Sequence, residues 1–412
     1  MSSVTNSLQA SQVKQRLYFL DWVRILAFFV LIFYHVARYY DSEDWHVKSV
    51  LASPAIDSLL MLSTPWRLSL LFLISGVASR FMLDKLQVGE FLRQRSWRLL
   101  IPLLFGMLVI VPPQAYLEVV EKVAYTGSYF DFMQLYLSAY HGFCRSSCLI
   151  MPTWNHLWFV PYLWCYSVLL AGLMFISRAR FDVVARGLGA LLSGWKLIVL
   201  PLAALALLRI LLAARFPNTH ALIDDWYSHA NYFLLFLMGA LLAQQATFWQ
   251  EVQNMRWISL GLALSSWAIL IIYYALPDSS LALGQIDFWR TLMRTVYVCC
   301  EWTAIIAVCG FAHRHLQFDS AGRRYLTQAV FPLYILHQTI IVVLAHALKP
   351  AHIPPPIEAM ILVVLTFSLA FGIFEIVRRV PLLRPLFGLG RQALERAIVV
   401  EKSVEPVSAA AT

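Results

Sequence analysis

Apolar runs of about 18 to 22 residues recur along the whole chain, with only short polar gaps between them. Each is long enough to cross a hydrocarbon core of about 30 Å as a helix. In lipid the backbone must satisfy its own hydrogen bonds, and a helix does so within one segment. Ten such spans are read, at 18–39, 59–82, 99–116, 156–176, 197–214, 231–246, 257–275, 292–311, 329–347 and 357–377. The chain of 412 residues is 60% hydrophobic and 13% charged, against roughly 45–50% and about 25% in soluble globular proteins. The expected fold is therefore all-α: a polytopic integral membrane protein of about ten transmembrane helices.

The net charge of +9 follows membrane topology better than it follows nucleic acid, which is not an expected partner. Lys14 and Arg16 precede the first span. Lys85, Arg93, Arg95 and Arg98 follow the second, and Arg178, Arg180, Arg186 and Lys196 the fourth. Arg314, Arg323 and Arg324 follow the eighth, and Arg378, Arg379, Arg384, Arg391 and Arg396 end the chain. With alternating spans these gaps share one side, which the positive-inside rule makes cytoplasmic, together with both termini. The first apolar run has no small-residue cleavage site before it and reads as a retained span. The expected divisions are a tail over 1–16, a membrane domain over 17–388 and a partly disordered tail over 389–412.

Two longer external segments, 40–58 and 117–155, are too short to be separate domains but suffice to rim a cavity. The second contains Cys144 and Cys148, for which an oxidised pair is open. Cys165, Cys299, Cys300 and Cys309 fall within spans as small buried apolar residues, and no cysteine pattern suggests a metal.

The first span, "FLDWVRILAFFVLIFYH", holds Asp21, Arg24 and His35. Eleven positions at about 100° each leave Arg24 and His35 only about 20° apart around the helix and about 16 Å apart along it. An arginine so placed should face protein or water; alternatively it pairs with Asp21 and reaches the interface. Two polar groups on one stripe suggest a polar path. In the second span, Arg67 lies near the outer end and Ser75-Gly76 in the middle, where small residues let helices approach closely or a ligand pass near the backbone. Arg93, Arg95 and Arg98 at the cytoplasmic mouth either anchor the helix or clamp phosphate, which guanidinium groups suit. His156, Glu301, His337 and Glu375 are further intramembrane polar residues; Arg290 and Arg294 are near Glu301 as basic partners, Arg294 two turns away on one face.

"LDWVRILA…YH", with its arginine and histidine separated by ten residues, is followed by "FLISG", by Arg95-x-x-Arg98 before "IP", by "HLWFV" and by "YILHQ". In that order the chain resembles the acyltransferase 3 family of membrane-bound O-acyltransferases, over residues 17–388. The resemblance implies transfer from cytoplasmic acyl-CoA (succinyl-CoA or acetyl-CoA), a donor substrate and not a resident cofactor, to a glycan hydroxyl outside a bacterial inner membrane. It places His35 as the essential histidine and Arg24 as its arginine. It puts Arg95 and Arg98 on the family's R-x-x-R, Ser75-Gly76 on its serine-glycine motif and His156 and His337 on recurrent histidines; donor phosphates held by Arg95 and Arg98 would let the donor's arm run past Ser75-Gly76 and Arg24 toward His35. Glycan-synthesis machinery is an expected partner.

His35 then acts as general base on the sugar hydroxyl or as a transient acyl carrier, with Arg67 or Arg24 available to the oxyanion. Trp45, His46, Trp154, Trp158, Tyr129 and Tyr140 offer surfaces to sugar rings or form an interfacial belt. Arg67, His156, His337 and Glu301 complete the candidate substrate-binding set. A polytopic transporter or flippase would share the spans and charges, but should show half-repeats or broken helices, and the sequence displays neither. A scaffold of a synthase complex would not need Arg24 and His35 together.

Overall fold

The computed structural model describes residues 17–144, 148–276 and 286–390. The terminal tails over 1–16 and 391–412, with Lys14, Arg16, Arg391 and Arg396, lie outside the described residues.

Among the described residues the chain is helical, with no strand. Its helices are α1 (Tyr18–Arg38), α2 (Pro54–Met61), α3 (Arg67–Leu83), α4 (Val88–Phe105), α5 (Pro112–Val123), α6 (Tyr129–Leu137), α7 (Phe159–Leu191), α8 (Lys196–Leu212), α9 (Trp226–Leu242), α10 (Ala246–Asn254), α11 (Arg256–Ala275), α12 (Ile286–His315), α13 (Ala321–Leu348) and α14 (Pro355–Arg379). Helix occupies each of the ten stretches read as spans. Six helices are long and apolar enough to cross a membrane, or eight spans result if two bent pairs are each counted once.

Those pairs correct the expectation of unbroken helices. A π-helical turn at Gly106–Ile110 leads into Pro112, and α5 leaves the α4 axis by 41°. Proline supplies no amide hydrogen to the preceding turn, so the axis yields there. The second pair, α9 and α10, turns by 116°.

Contacts between helix ends sort them into two groups. Arg323 at the start of α13 pairs with Asp21 of α1, Arg80 of α3 with Asp182 of α7 at 2.6 Å, and Arg178 of α7 with Asp84 at 2.6 Å. At the opposite end His46 meets Glu118, Lys122 meets Asp44, and Lys349 meets Glu121. The arginine-rich connections thus gather at one end of the bundle.

Helix α1 packs against α3, α12, α13 and α14. Its Leu26 and Phe33 are exposed, roughly opposite Arg24 and His35 around the helix, so its apolar stripe is turned outward and its polar stripe inward. Helices α3 and α9 touch through their backbones. A Cβ on Gly76 would lie 1.9 Å from the Phe236 carbonyl oxygen, and one on Gly239 would lie 2.0 Å from that of Leu73. Each glycine admits the other helix's carbonyl, the small-residue packing that membranes favour where no hydrophobic force separates protein from lipid.

Candidate active site

The polar stripe of α1 borders a cavity of about 930 Å³. Arg24 and His35 both line it, about 16 Å apart along the helix. Arg95 and Arg98 of α4 and Ser75 of α3 line the same space, as do Arg67, Trp45, His46, His156 and Trp158. Residues from 40–58 and from the end of 117–155 supply its rim: Glu43, Trp45 and His46 from one, Thr153, Trp154 and Asn155 from the other. Held side chains fix that rim. Asp41 accepts from Lys48 Nζ at 2.6 Å and pairs with Arg38.

The arginine end is strongly cationic. Arg24, Arg95, Arg98 and Arg384 line it, whereas among the described residues the one carboxylate on the wall, Glu43, belongs to the outer rim. Arg95 donates to Ser79 Oγ at 3.0 Å and to Ser167 Oγ at 3.2 Å, neutral partners that leave its charge uncompensated. Arg98 Nε donates to the Gly388 carbonyl at 3.4 Å. Arg384 is fixed by the carbonyls of Gly390 at 2.8 Å and Arg378 at 2.9 Å. Arg24 reaches Asp21 at only 3.5 Å, and its buried Nε has no hydrogen-bond partner. The alternative of an Asp21-paired arginine at the interface is thus met only in part: the pair exists, but the side chain borders the cavity.

At the other end the hydrogen bonds settle the histidine tautomers. His337 is fully buried, with Nδ1 2.7 Å from the Tyr334 carbonyl oxygen. A carbonyl only accepts, so Nδ1–H donates, and in a neutral ring Nε2 is then an acceptor. His35 Nδ1 lies 3.0 Å from the Leu31 carbonyl oxygen and 3.2 Å from His337 Nε2. Both neighbours accept, so His35 carries its proton on Nδ1 and keeps its lone pair on Nε2. His156 is settled likewise, donating from Nε2 to the Ile335 carbonyl at 3.1 Å while Gln114 Nε2 approaches Nδ1 at 3.3 Å. His46 faces Glu118 at 2.5 Å through Nδ1, and its Nε2 accepts from Gln338 at 2.9 Å. Arg67 is buried, lies 3.6 Å over the Tyr34 ring and donates to Ser63 Oγ at 3.0 Å; its Nε is unpartnered.

Several candidates stand elsewhere. Gly76 faces α9 rather than the cavity, so only Ser75 of that pair borders it. Arg93 is 71% exposed and paired with Glu90 at 2.6 Å. Glu301 is buried outside the cavity lining, where Asn231 Nδ2 donates to it at 2.8 Å and Ser69 also bonds it, in place of the expected Arg294. His337 acts on the cavity through His35. Tyr129 and Tyr140 belong to an aromatic cluster around Phe132 and Phe143. Cys144 and Cys148 are joined as a disulfide. Among the described residues no three His, Cys, Asp or Glu side chains converge as metal ligands would.

Sequence reasoning did not single out Arg384, Gln338, Tyr34, Asn155 or His220, all of which line the cavity. Arg384 counted only as one more basic residue of the tail. His220 sits in a polar connection without any motif.

Residues 17–375 match the model of a family described as an acyltransferase domain. Among curated proteins the chain is similar to the glucans biosynthesis protein C of Salmonella typhimurium, 25% identical over 401 residues, covering 92% of this chain and 96% of the relative. The proteins of the same name from Salmonella heidelberg and Salmonella typhi are each 25% identical over 392 residues, covering 90% of this chain and 94% of theirs. No solved structure matches the chain significantly.

Proposed function

The chain belongs to this acyltransferase family, and from that premise we propose that it moves an acyl group across a membrane, from cytoplasmic acyl-CoA to a hydroxyl of an external glycan. That it is a multi-pass acyltransferase follows from the family match and the apolar helices. The glycan is suggested by the name of its relatives. The observation that carries the reading is that one cavity joins the arginine end to the histidine end.

In this proposal the arginine-rich end is cytoplasmic, as the positive-inside rule favours. Ten helices then cross a bacterial inner membrane with both termini inside. Arg95, Arg98 and Arg384 take the phosphates of coenzyme A, since bidentate charge-assisted bonds suit guanidinium. The pantetheine arm runs past Ser75 and Arg24, and the thioester carbonyl comes to His35. The sugar hydroxyl enters under the rim of Trp45, His46, Trp154 and Trp158. His35 Nε2 takes the hydroxyl proton while the oxygen attacks the thioester carbon. Arg67 offers a cation to the oxyanion. Collapse breaks the carbon–sulfur bond, and the thiolate leaves with the proton from Nε2. His337 holds Nδ1–H in place throughout, so the lone pair stays on Nε2. The acyl group is succinyl or acetyl, and glycan-synthesis proteins would deliver the acceptor.

The bent pairs bear on the transporter reading. Transporters use broken helices to build the substrate site. Of these pairs only α4 lines the cavity, through Arg95, Arg98 and Leu99 ahead of its break, and no residue of the π-helical turn, α5, α9 or α10 does, so the breaks themselves do not build the wall, which favours transfer over transport.

The test is incorporation of label from acyl-CoA into glucan by membranes carrying wild-type protein or His35→Ala. The account expects loss of incorporation by about 10²–10⁴-fold with a folded variant. Undiminished incorporation would remove His35 from the mechanism. Movement of an unmodified solute by wild type, without label transfer, would favour a transporter.

A further inference from the structure

The connection between α8 and α9 carries three residues with left-handed backbone: His220 at φ 55°, Leu222 at 67° and Asp224 at 65°. None is glycine; His and Asp adopt this conformation more readily than most residues, but Leu222 is strained there, and three such residues in one connection persist where their surroundings impose them. They do so here. Trp154 Nε1 donates to the His220 carbonyl at 3.0 Å, and the His220 amide donates to Asp225 Oδ2 at 3.2 Å. The Leu222 amide donates to the Tyr162 hydroxyl at 3.0 Å, and that hydroxyl donates to Asp225 Oδ2 at 2.6 Å.

What this framework holds is one imidazole. The His220 ring lies on Trp158 with centroids 3.9 Å apart and planes 23° apart. Both residues line the cavity at its outer part. His220 Nε2 is buried and has no hydrogen-bond partner. A buried polar atom left unpaired is costly; Nε2 has no surface of its own on the cavity that His220 lines and gains a partner only when the ring turns toward it, so the strained loop points to a contact made on ligand binding. Burial also holds the imidazole pKa down at about 4, with Asp225 opposing in part. The ring is therefore neutral near pH 7 and offers one donor and one acceptor, as a sugar hydroxyl does.

We propose that His220, stacked on Trp158, is a binding residue for the acceptor glycan, its Nε2 hydrogen-bonding a ring hydroxyl of the sugar presented to His35. The choice of a sugar as ligand rests on the acyl-transfer reading; the placement of the contact does not. His220 lies on a connection at the opposite end of the bundle from Arg95 and Arg98, so it meets the acceptor and not the coenzyme A phosphates.

The experiment measures binding of a linear gluco-oligosaccharide to the full-length protein in detergent micelles, without donor, alongside binding of coenzyme A and acyl transfer. His220→Phe keeps a ring on Trp158 and removes both nitrogens. It should weaken oligosaccharide binding, and raise KM for that acceptor, about tenfold, the equivalent of about 1.4 kcal/mol, with coenzyme A binding unchanged. His220→Asn tolerates the left-handed backbone but cannot reach the Nε2 position, so it should show the same loss if His220→Phe fails to fold. Wild-type affinity for the oligosaccharide in a folded variant overturns the proposal, and so does an equal loss of coenzyme A binding, which would mark His220 as structural. If transfer proceeds with an unchanged acceptor KM in the variants, this inference falls and the acyl-transfer reading stands. If the oligosaccharide binds through His220 but wild type transfers nothing, this inference stands and that reading falls.

Discussion

His337 Nε2 lies 3.2 Å from His35 Nδ1, joining α13 to α1 across 302 positions of sequence. Because the other His337 nitrogen donates to the Tyr334 carbonyl, this contact, together with the Leu31 carbonyl at 3.0 Å, keeps the proton on His35 Nδ1 and the lone pair on Nε2. In the proposed mechanism His337 is thus a positioning residue. His337→Ala should lower kcat about tenfold, the worth of one neutral hydrogen bond, while KM for acyl-CoA stays put. His337→Gln, whose amide oxygen accepts, should recover part of the loss. Steady-state kinetics of both variants separate this from general destabilisation, which would not distinguish Gln from Ala.

On the proposed reading the arginines divide into donor contacts and bystanders. Arg95→Ala and Arg98→Ala should each raise KM for acyl-CoA by about 10- to 100-fold, as loss of a charge-assisted bond implies. Little change is expected with an acyl-pantetheine that lacks the nucleotide phosphates. Arg93→Ala should match wild type, because Arg93 is exposed and already paired with Glu90. Equal effects at all three positions would mean that the cluster acts only as a membrane anchor.

Ser75 and Gly76 should behave oppositely under substitution. A Cβ at Gly76 meets the α9 backbone, so Gly76→Val should lower the melting temperature in detergent, by several kcal/mol of overpacking. Ser75→Ala should leave the melt unchanged and affect only turnover. A stable Gly76→Val protein would contradict the α3–α9 packing.

Part of this division was legible in the sequence. Helical period alone put Arg24 and His35 on one stripe, and the exposed positions of Leu26 and Phe33 on the opposite side agree with it. The R-x-x-R spacing put Arg95 and Arg98 together on one helix, and both border the cavity. Periodicity could not say which neighbour each face meets. Ser75 and Gly76 are adjacent in sequence and about 100° apart on the helix, so one faces ligand space and the other α9. Glu301 was matched to Arg294 by spacing along one helix, but its partners come from α3 and α9. His220 and Arg384 were illegible because connections have no period, and their role depends on contacts such as Trp154 to His220 and Arg98 to Gly388.

Acid should destabilise the α8–α9 connection through His220. Its folded pKa of about 4 lies below the ordinary 6.5 because burial penalises the charged ring. Above pH 6.5 the ring is neutral in both folded and unfolded chains. As pH falls from 6.5 to about 4 the unfolded chain binds the proton first, and up to about 3 kcal/mol of stability is lost. His220→Phe should make the melting temperature fall less steeply over that interval than it does in wild type. An equally steep acid loss in the variant would assign it to other groups.

In the proposed reaction, donor and acceptor enter one cavity from opposite faces. The most direct measurement uses proteoliposomes with the protein in one orientation, acyl-labelled CoA confined to the arginine-rich face and gluco-oligosaccharide to the other. Labelled oligosaccharide should form on its own side with coenzyme A retained on the donor side, and none should form with His35→Ala. Label that forms only when both substrates share a face, or only after acyl-CoA itself has crossed, would contradict entry from opposite faces.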